Sequence, residues 1–398
     1  MKPPTEKLTY VHILGNCSCI ALLQSIHGHM ILAITCLLMV IPGFSIAQEP
    51  PAPAENTPTI DQLIVRHGLR QSSVASRDSE GWQKPQRILV RVDSPERLQW
   101  MQQAVPDVEL VAFDTIEAAA REIDSFQAVV GLCHPDLLAS NIHWVQIYSA
   151  GIERCTAIPA AQKNLSILSN AQRLQGPEIA DHAIALMLAL VRRLDVYSSR
   201  QSWIREQDPG EEDIWELEGR TLLVVGLGGI GTNIAKLGYG LGMRVIATRN
   251  SRREGPDFIS YVGLADELLG LARKADVIIN ATPLTTSTTG IFNREFFAAA
   301  PDHAYFINVG RGRSVVTDDL IMALEKGDIA GAGLDVTDPE PLPDGHPLWS
   351  APRVIITPHM AGVSDKIMGR IFLVARENIR RYSAGEPLLS VVDMERGY

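Results

Sequence analysis

The chain has little cysteine, with only five in 398 residues. Three of them lie within the first 40 residues, which leaves Cys133 and Cys155 in the body of the chain. Two cysteines do not make the disulfide framework of a small secreted domain, and neither belongs to a cluster with the spacing of metal ligands. We therefore expect both to be small, buried, apolar side chains, and we expect no metal site.

The chain also lacks an excess of positive charge. Its 36 Lys and Arg residues against 46 Asp and Glu residues give a formal net charge of −10 at pH 7. This balance argues against nucleic acid as a main partner, because proteins that bind it carry basic surfaces that neutralise phosphates. With 46% hydrophobic and 21% charged residues, the composition is that of a globular protein, and the length suits two domains.

The N-terminus has no apolar run of the length that spans a membrane. Met30–Ile41 is apolar but has only 12 residues and is followed by Pro42. A weakly basic leader precedes this run, and a small-x-small site ends at Ala47. The pattern predicts a signal peptide at residues 1–47 and an exported, periplasmic protein. An uncleaved membrane anchor stays open, as does a cytoplasmic enzyme with a wrongly assigned start codon.

Residues 48–85 lack the pattern of a folded domain. They are rich in proline and alanine at first and polar later, so we expect a flexible linker with one short helix at most, over Asp61–Leu69. From residue 86 onward, short apolar strands alternate with helices, which predicts parallel sheets covered by helices on both faces. A long apolar helix over Glu178–Arg193 suits a connector between domains, and its His182 is expected to be a packed side chain rather than a ligand.

The stretch Leu222–Gly231 is an apolar strand that runs directly into a G-x-G-x-x-G turn and a helix start. In a dinucleotide-binding unit, Gly226 permits the tight turn and Gly228 lets the backbone approach the phosphates. Gly231 lets the helix pack close to the strand. The helix start then presents unpaired N–H groups and a positive dipole end to the pyrophosphate. The stretch predicts a Rossmann unit.

No acidic residue lies between Gly231 and Glu254, where an NAD site places the carboxylate that binds the ribose 2′-hydroxyl. The second strand ends instead in the basic segment Thr248–Arg253, which contains three arginines. Because Arg binds phosphate bidentately, this segment favours NADP over NAD. An ordinary basic surface loop is the alternative.

Three later strands of the second domain end in residues that are unusual at such positions. These are Ala304–Val309 followed by Arg311, Gly331–Leu334 followed by Asp335 and Glu340, and Val354–Thr357 followed by His359. Ligands bind at the carboxyl ends of parallel strands, where an arginine can bind a carboxylate and a histidine can act as a general acid or base. Each residue alone could be a cap, turn or loop residue, but together they favour an active site.

These motifs resemble those of the D-isomer-specific 2-hydroxyacid dehydrogenases, in the branch of the glyoxylate/hydroxypyruvate reductases. The resemblance covers about residues 86–385 and implies two Rossmann/flavodoxin-like doubly wound parallel-sheet domains with an interdomain cleft. The substrate domain is then 86–195 completed by 360–398, and the dinucleotide-binding domain is 196–359. The motifs are Tyr148–Ile152, Glu178–Leu186, Gly226–Gly231, Ala281–Thr285, Ile307–Gly312, Gly333–Val336, Glu340–Pro343, Pro347–Trp349 and Ile356–Gly362.

The resemblance implies a role for each candidate residue. His359, paired with Glu340, is the general acid/base, and Arg311 orients the substrate carboxylate. The backbone of Ala150 and Gly151 contacts that carboxylate as well. The residues implied at the cofactor are Gly226, Gly228, Gly229, Ile230, Gly231, Arg249, Asn250, Ser251, Arg252, Thr282, Pro283, Val309 and Asp335, the last of which holds the nicotinamide amide.

The implied reaction is hydride transfer between NAD(P)H and a small 2-oxo or D-2-hydroxy acid, catalysed without a metal by a homodimer. Two alternatives stay open. A phosphoglycerate dehydrogenase-like enzyme needs a basic cluster for its substrate, and the first domain's loops offer none. A non-catalytic protein that binds or senses the dinucleotide is opposed by the retention of all three catalytic-type residues.

Overall fold

Five short parallel strands, mostly apolar, form the sheet of the first domain. The computed structural model describes residues 58–199, 201, 203 and 214–394. The strands are β1 (Arg87–Val90), β2 (Glu109–Ala112), β3 (Ala128–Gly131), β4 (Trp144–Ile147) and β5 (Ile167–Ser169). Their order is β2-β1-β3-β4-β5, the flavodoxin-like arrangement. The central strands β3 and β4 are buried throughout, as a parallel sheet covered on both faces requires.

Seven further parallel strands form the sheet of the second domain. They are β6 (Thr221–Val225), β7 (Arg244–Thr248), β8 (Tyr261–Gly263), β9 (Val277–Asn280), β10 (Tyr305–Asn308), β11 (Gly331–Leu334) and β12 (Val354–Ile356). Their order is β12-β11-β10-β9-β6-β7-β8, so the chain reverses direction across the sheet between β6 and β9. A dinucleotide binds at the carboxyl ends of the strands beside such a reversal. The predicted fold class is confirmed.

Twelve α-helices lie among the described residues. They are α1 (Ile60–His67), α2 (Pro95–Gln102), α3 (Ile116–Ala120), α4 (Glu153–Thr156), α5 (Pro159–Asn164), α6 (Gly176–Val191), α7 (Leu194–Tyr197), α8 (Gly229–Gly240), α9 (Leu268–Ala272), α10 (Arg294–Ala299), α11 (Thr317–Lys326) and α12 (Ile367–Ala384). Helix α12 returns to the first sheet, where Phe372 and Ile379 share a buried cluster with Ile88 and Trp144. No helix in these residues has the length and apolarity needed to cross a bilayer.

Residues 58–85 pack against the first domain, so the prediction of a flexible linker is wrong for this stretch. Helix α1 begins with a capping box, in which Thr59 and Gln62 each accept a hydrogen bond from the other's backbone amide. Leu63 is buried in a cluster with Ile371 and Val374 of α12. The polar stretch that follows makes backbone hydrogen bonds to the segment after α12. Residues 1–57, with the predicted signal peptide and the start of the linker, lie outside the described residues.

Cys133 and Cys155 form a disulfide, so the prediction of two separate apolar side chains is wrong. Their Cα atoms are 5.5 Å apart and 22 residues apart in sequence. Cys133 follows β3, and Cys155 lies in α4, after β4. Because β3 and β4 are parallel neighbours, the segments after them meet at the same sheet edge. This pairing depends on strand order, which a count of two cysteines does not reveal.

Candidate active site and cofactor site

The glycine turn after β6 has the geometry that its glycines predict. Gly226 has φ +95°, which residues with a side chain rarely adopt. A Cβ on Gly231 would lie 2.1 Å from the Gly226 carbonyl oxygen, so only glycine allows α8 to start this close to the strand. A Cβ on Gly228 would meet nothing within 4 Å. The turn therefore leaves open space in front of the α8 N-terminus.

The first turn of α8 presents free backbone amides to this space. Within the described residues, the amides of Gly229, Ile230 and Gly231 have no acceptor, and the first one bonded is that of Thr232, to the Gly228 oxygen at 3.0 Å. Free N–H groups at the positive end of a helix bind phosphate. These residues fit the pyrophosphate of a dinucleotide.

The three arginines of the basic segment after β7 differ in their partners. Arg249 lies against the glycine turn, because its Nε donates to the Leu227 oxygen at 3.0 Å. Arg252 is exposed. Arg253 forms an ion pair with Glu267 at 2.5 Å, so its charge is already partnered within the protein. Two of the three arginines are thus left for a ligand. The two other predicted cofactor residues of this segment, both exposed, are Asn250 and Ser251.

The loop after β12 brings His359 to Glu340. The His359 Nδ1 atom lies 2.6 Å from Glu340 Oε1, and 48% of the His359 side chain is exposed. His359 has φ +51°, a conformation that is uncommon for a residue with a side chain and recurs at functional sites. Its amide is held by the Asp335 and Thr357 carbonyl oxygens at 2.8 and 3.0 Å. Since the carboxylate occupies Nδ1, Nε2 is the ring nitrogen left for another partner.

Asp335 is buried at the end of β11 and holds this same loop. Its Oδ1 accepts hydrogen bonds from Thr357 Oγ1 at 2.6 Å and the Met360 amide at 2.9 Å, and its Oδ2 accepts one from the Ala361 amide at 3.0 Å. His182 Nε2 lies 2.9 Å from Thr357 Oγ1 and donates to it, because the hydroxyl proton is given to Asp335. His182 is therefore a packed side chain, as predicted. The contact of Asp335 with the nicotinamide amide stays a prediction.

Arg311 follows β10 and is held from two sides. Its Nε donates to Glu153 Oε1 at 2.9 Å, and its Nη1 donates to the Gly310 oxygen at 2.8 Å. Nη2 has no acceptor in the part of the chain that the structure describes, and it borders Gly151, where a Cβ would lie 2.3 Å from it. The guanidinium is thus oriented by two protein oxygens and presents Nη2 to the first domain. Glu153 was not predicted as part of the site.

A buried polar network that holds the Arg311 backbone was also not predicted from the sequence. Asn280 Nδ2 donates to Asn308 Oδ1 at 2.9 Å and to Ser314 Oγ at 2.8 Å. Asn308 Nδ2 and Ser314 Oγ in turn donate to the Arg311 carbonyl oxygen. Both asparagines are fully buried, so the satisfied network holds the strand ends and the arginine backbone in one arrangement. The sequence signal for it was an asparagine that ends each of the apolar strands β9 and β10.

The loop after β4 supplies further donors beside Arg311. Among described atoms, the amides of Ala150 and Gly151 have no acceptor. Their carbonyl groups are held instead, since Asn170 Nδ2 donates to the Ala150 oxygen at 2.7 Å and Ser149 Oγ donates to the Gly151 oxygen at 3.0 Å. Successive free amides next to a guanidinium make a site for a carboxylate. The structure therefore brings Ala150 and Gly151 together with Arg311.

Residues 184–361 match the family model of the D-isomer specific 2-hydroxyacid dehydrogenase NAD-binding domain. The chain is also 30% identical over 317 residues to glyoxylate/hydroxypyruvate reductase A of Photorhabdus laumondii, an alignment that covers 77% of this chain and 97% of that protein. The chain belongs to the D-isomer-specific 2-hydroxyacid dehydrogenase family. The resemblance inferred from the sequence motifs, including the glyoxylate/hydroxypyruvate reductase branch, is confirmed.

Solved structures of this dehydrogenase family have the same architecture. A family member from Aeromonas salmonicida superposes with a TM-score of 0.68 at 29% identity, over 78% of this chain and 99% of that one. The enzyme of Xanthobacter autotrophicus, solved in complex with NADPH and MES, has a TM-score of 0.65 at 26% identity, again over 78% and 99%. The protein is thus an NAD(P)-dependent 2-hydroxyacid dehydrogenase whose cofactor is a nicotinamide dinucleotide.

The remaining predicted cofactor residues of the dehydrogenase lie at the ends of β9 and β10. Thr282 is buried next to the glycine turn, where a Cβ on Gly226 would lie 3.0 Å from Thr282 Cγ2. Pro283 beside it is exposed, and the Val309 amide donates to the Asn280 oxygen at 3.2 Å. Their contacts with the cofactor stay predictions. The described residues contain no group of three His, Cys, Asp or Glu side chains that could hold a metal ion.

Proposed function

We propose that this dehydrogenase is a reductase of the glyoxylate/hydroxypyruvate type, which interconverts a small 2-oxo acid and its D-2-hydroxy acid. The observation that carries the proposal is the 2.6 Å contact between His359 and Glu340 at the sheet edge where Arg311 also lies. A proton donor and a carboxylate-binding cation are what a 2-oxo acid requires. The name of the Photorhabdus relative supports the substrate class.

His359 transfers the proton in both directions of the reaction. When bound, the nicotinamide supplies the hydride to the substrate carbonyl carbon, or accepts it in the reverse direction. His359 gives its Nε2 proton to the carbonyl oxygen as this becomes the hydroxyl, and takes a proton back in the oxidation. Glu340 accepts the Nδ1–H hydrogen bond and stabilises the imidazolium charge, as a carboxylate partner of a catalytic histidine does.

The substrate carboxylate is held by three donors from the end of β10 and the loop after β4. These are Arg311 Nη2 and the free amides of Ala150 and Gly151. Because Glu153 and the Gly310 oxygen already orient the guanidinium, it needs little rearrangement when the substrate binds. The same positive charge polarises the carbonyl group next to the carboxylate.

NADPH is the proposed reductant. No acidic residue stands at the end of β7, and Arg249 lies there against the glycine turn. A guanidinium at this position binds a 2′-phosphate, which NADH lacks. The Xanthobacter enzyme, which was solved with NADPH, supports this choice. The homodimer stays a prediction.

A substrate panel tests the proposal. Glyoxylate, hydroxypyruvate, pyruvate, phenylpyruvate and phosphohydroxypyruvate are each supplied with NADPH and with NADH, and loss of the reduced cofactor's absorbance is followed. We expect glyoxylate or hydroxypyruvate to have a kcat/KM at least about tenfold above that of phenylpyruvate, since the larger apolar substrate needs a pocket shaped for it. A preference for phosphohydroxypyruvate would favour the phosphoglycerate dehydrogenase-like alternative, and no turnover of any acid would contradict the proposal.

We also propose that the protein is exported, with cleavage after Ala47. The disulfide between Cys133 and Cys155 supports this, because such bonds persist mainly in oxidising compartments. Protein purified from the native host under thiol-blocking conditions is expected to begin at or near Gln48 and to carry Cys133 and Cys155 unmodified by the blocking reagent. Mass spectrometry measures both. A chain that keeps its first 47 residues and has both thiols blocked would place the enzyme in the cytoplasm.

A further inference from the structure

Arg173 lies directly over the phosphate-binding end of α8. A Cβ on Gly229, the first residue of that helix, would be 3.0 Å from Arg173 Cγ and 3.3 Å from its Cα. Arg173 has φ +69°, a left-handed conformation that is uncommon for an arginine, and His67 Nδ1 lies 3.3 Å from its carbonyl oxygen. The fold therefore holds this residue in an unfavourable backbone conformation beside the free amides of the glycine turn.

Arg70, in the segment that precedes the first domain, lies close enough to Arg173 for its charge to act on it. Arg173 Nη1 lies 3.2 Å from the position of a Cβ on Gly68, the residue that ends α1, two residues before Arg70. The backbone at Arg70 is fixed, because its carbonyl oxygen accepts a hydrogen bond from the Ser390 amide at 2.8 Å. The end of α1 thus lies beside the Arg173 guanidinium.

These two arginines join Arg249 and Arg252 in a cluster that has almost no negative partner. No carboxylate oxygen in the described ranges lies within 4.0 Å of Arg70, Arg173 or Arg249, and Arg252 reaches one only at 3.9 Å. Burial and the positive charge of its three neighbours lower the pKa of the Arg173 guanidinium. Burial and the charges of Arg252 and Arg70 also lower the pKa of Arg249, and the charge of Glu254 opposes them. Four guanidiniums that share one exposed carboxylate, Glu254, call for an anionic ligand with several charges.

We propose that Arg70 and Arg173 bind phosphate groups of the dinucleotide, so that the segment 58–85 is part of the cofactor site. The proposal rests on the proposed use of NADPH, and it adds two residues that lie outside the glycine turn and the segment after β7. NADPH carries a pyrophosphate and a 2′-phosphate, which together match the charge of the four arginines. Arg173, over Gly229, is nearer the pyrophosphate, and the positive charge of Arg70 acts on both Arg173 and Arg249.

Direct binding of cofactor to the intact protein tests this. The dissociation constants for NADPH and NADH are measured by titration calorimetry with Arg70→Ala and Arg173→Asn; asparagine is chosen because it accepts a left-handed backbone. We expect each substitution to weaken NADPH binding by about tenfold or more, with a loss for Arg70→Ala that is larger for NADPH than for NADH. The matched control is Arg66→Ala, which removes the same charge from the exposed last turn of α1 and should leave both constants within about twofold.

The two possible failures are distinguishable. If no 2-oxo acid is reduced but the two variants lose affinity for NADPH, the proposed substrate is wrong and the phosphate contacts stand. Equal losses for NADPH and NADH would place the affected arginine at the pyrophosphate and would still support the proposal. Unchanged NADPH affinity in both variants, with unfolding temperatures equal to that of the unmodified protein, would overturn it.

Discussion

Replacing His359 by alanine is expected to lower kcat by about 10²–10⁴-fold, while the dissociation constant for NADPH stays within about twofold. The histidine is the proposed proton donor, and its Nδ1 is held by Glu340 at 2.6 Å, which leaves Nε2 for the substrate. Steady-state rates of hydroxypyruvate reduction and calorimetric titration with NADPH measure the two quantities.

His359→Asn serves as the second variant, because the native residue has φ +51° and asparagine adopts that conformation more readily than alanine does. A loss of kcat in both variants assigns the effect to the missing imidazole rather than to a displaced loop. Glu340→Gln keeps a hydrogen-bond acceptor but removes the charge, and should reduce kcat less than either. Turnover within a few-fold of the unmodified protein in His359→Asn would show that another group supplies the proton.

The strands could be predicted because parallel strands buried on both faces are continuous apolar runs. The strands predicted at Ala304–Val309, Gly331–Leu334 and Val354–Thr357 coincide with β10, β11 and β12 to within one residue at each end. The strand-end residues could be predicted for a related reason, since Arg311 and His359 are polar residues placed directly after such runs. The pairing of His359 with Glu340 came from the family's motifs and not from spacing.

What could not be predicted depends on contacts between distant parts of the chain. Leu63 is buried by residues of α12 some 300 positions later, so the composition of residues 58–85 alone indicates a linker. The disulfide follows from the neighbouring positions of β3 and β4 in the sheet. Glu153 looks like any helix-start acid in the sequence, and only the approach of the two domains brings it to Arg311.

Arg249→Asp is expected to reverse the choice of cofactor. We expect the unmodified protein to prefer NADPH over NADH by about 10–1000-fold in kcat/KM, which corresponds to one or two charge-assisted contacts with the 2′-phosphate. Arg249 is suited to such contacts because its Nε is fixed on the Leu227 oxygen, which leaves both Nη atoms for a ligand. A carboxylate at the same place repels the 2′-phosphate and accepts a hydrogen bond from the free ribose hydroxyl of NADH.

Arg253→Ala is the matched control for this reversal. Arg253 belongs to the same basic segment, but its guanidinium is already paired with Glu267 at 2.5 Å, so its removal should leave the cofactor preference unchanged. The preference of the unmodified protein should also fall as salt is added, since the arginines of this segment are partly or fully exposed and added ions screen them. If kcat/KM is the same for both cofactors before any substitution, the segment acts only as a basic surface loop. If Arg253→Ala changes the preference as much as Arg249→Asp does, Arg249 is not the residue that selects the cofactor.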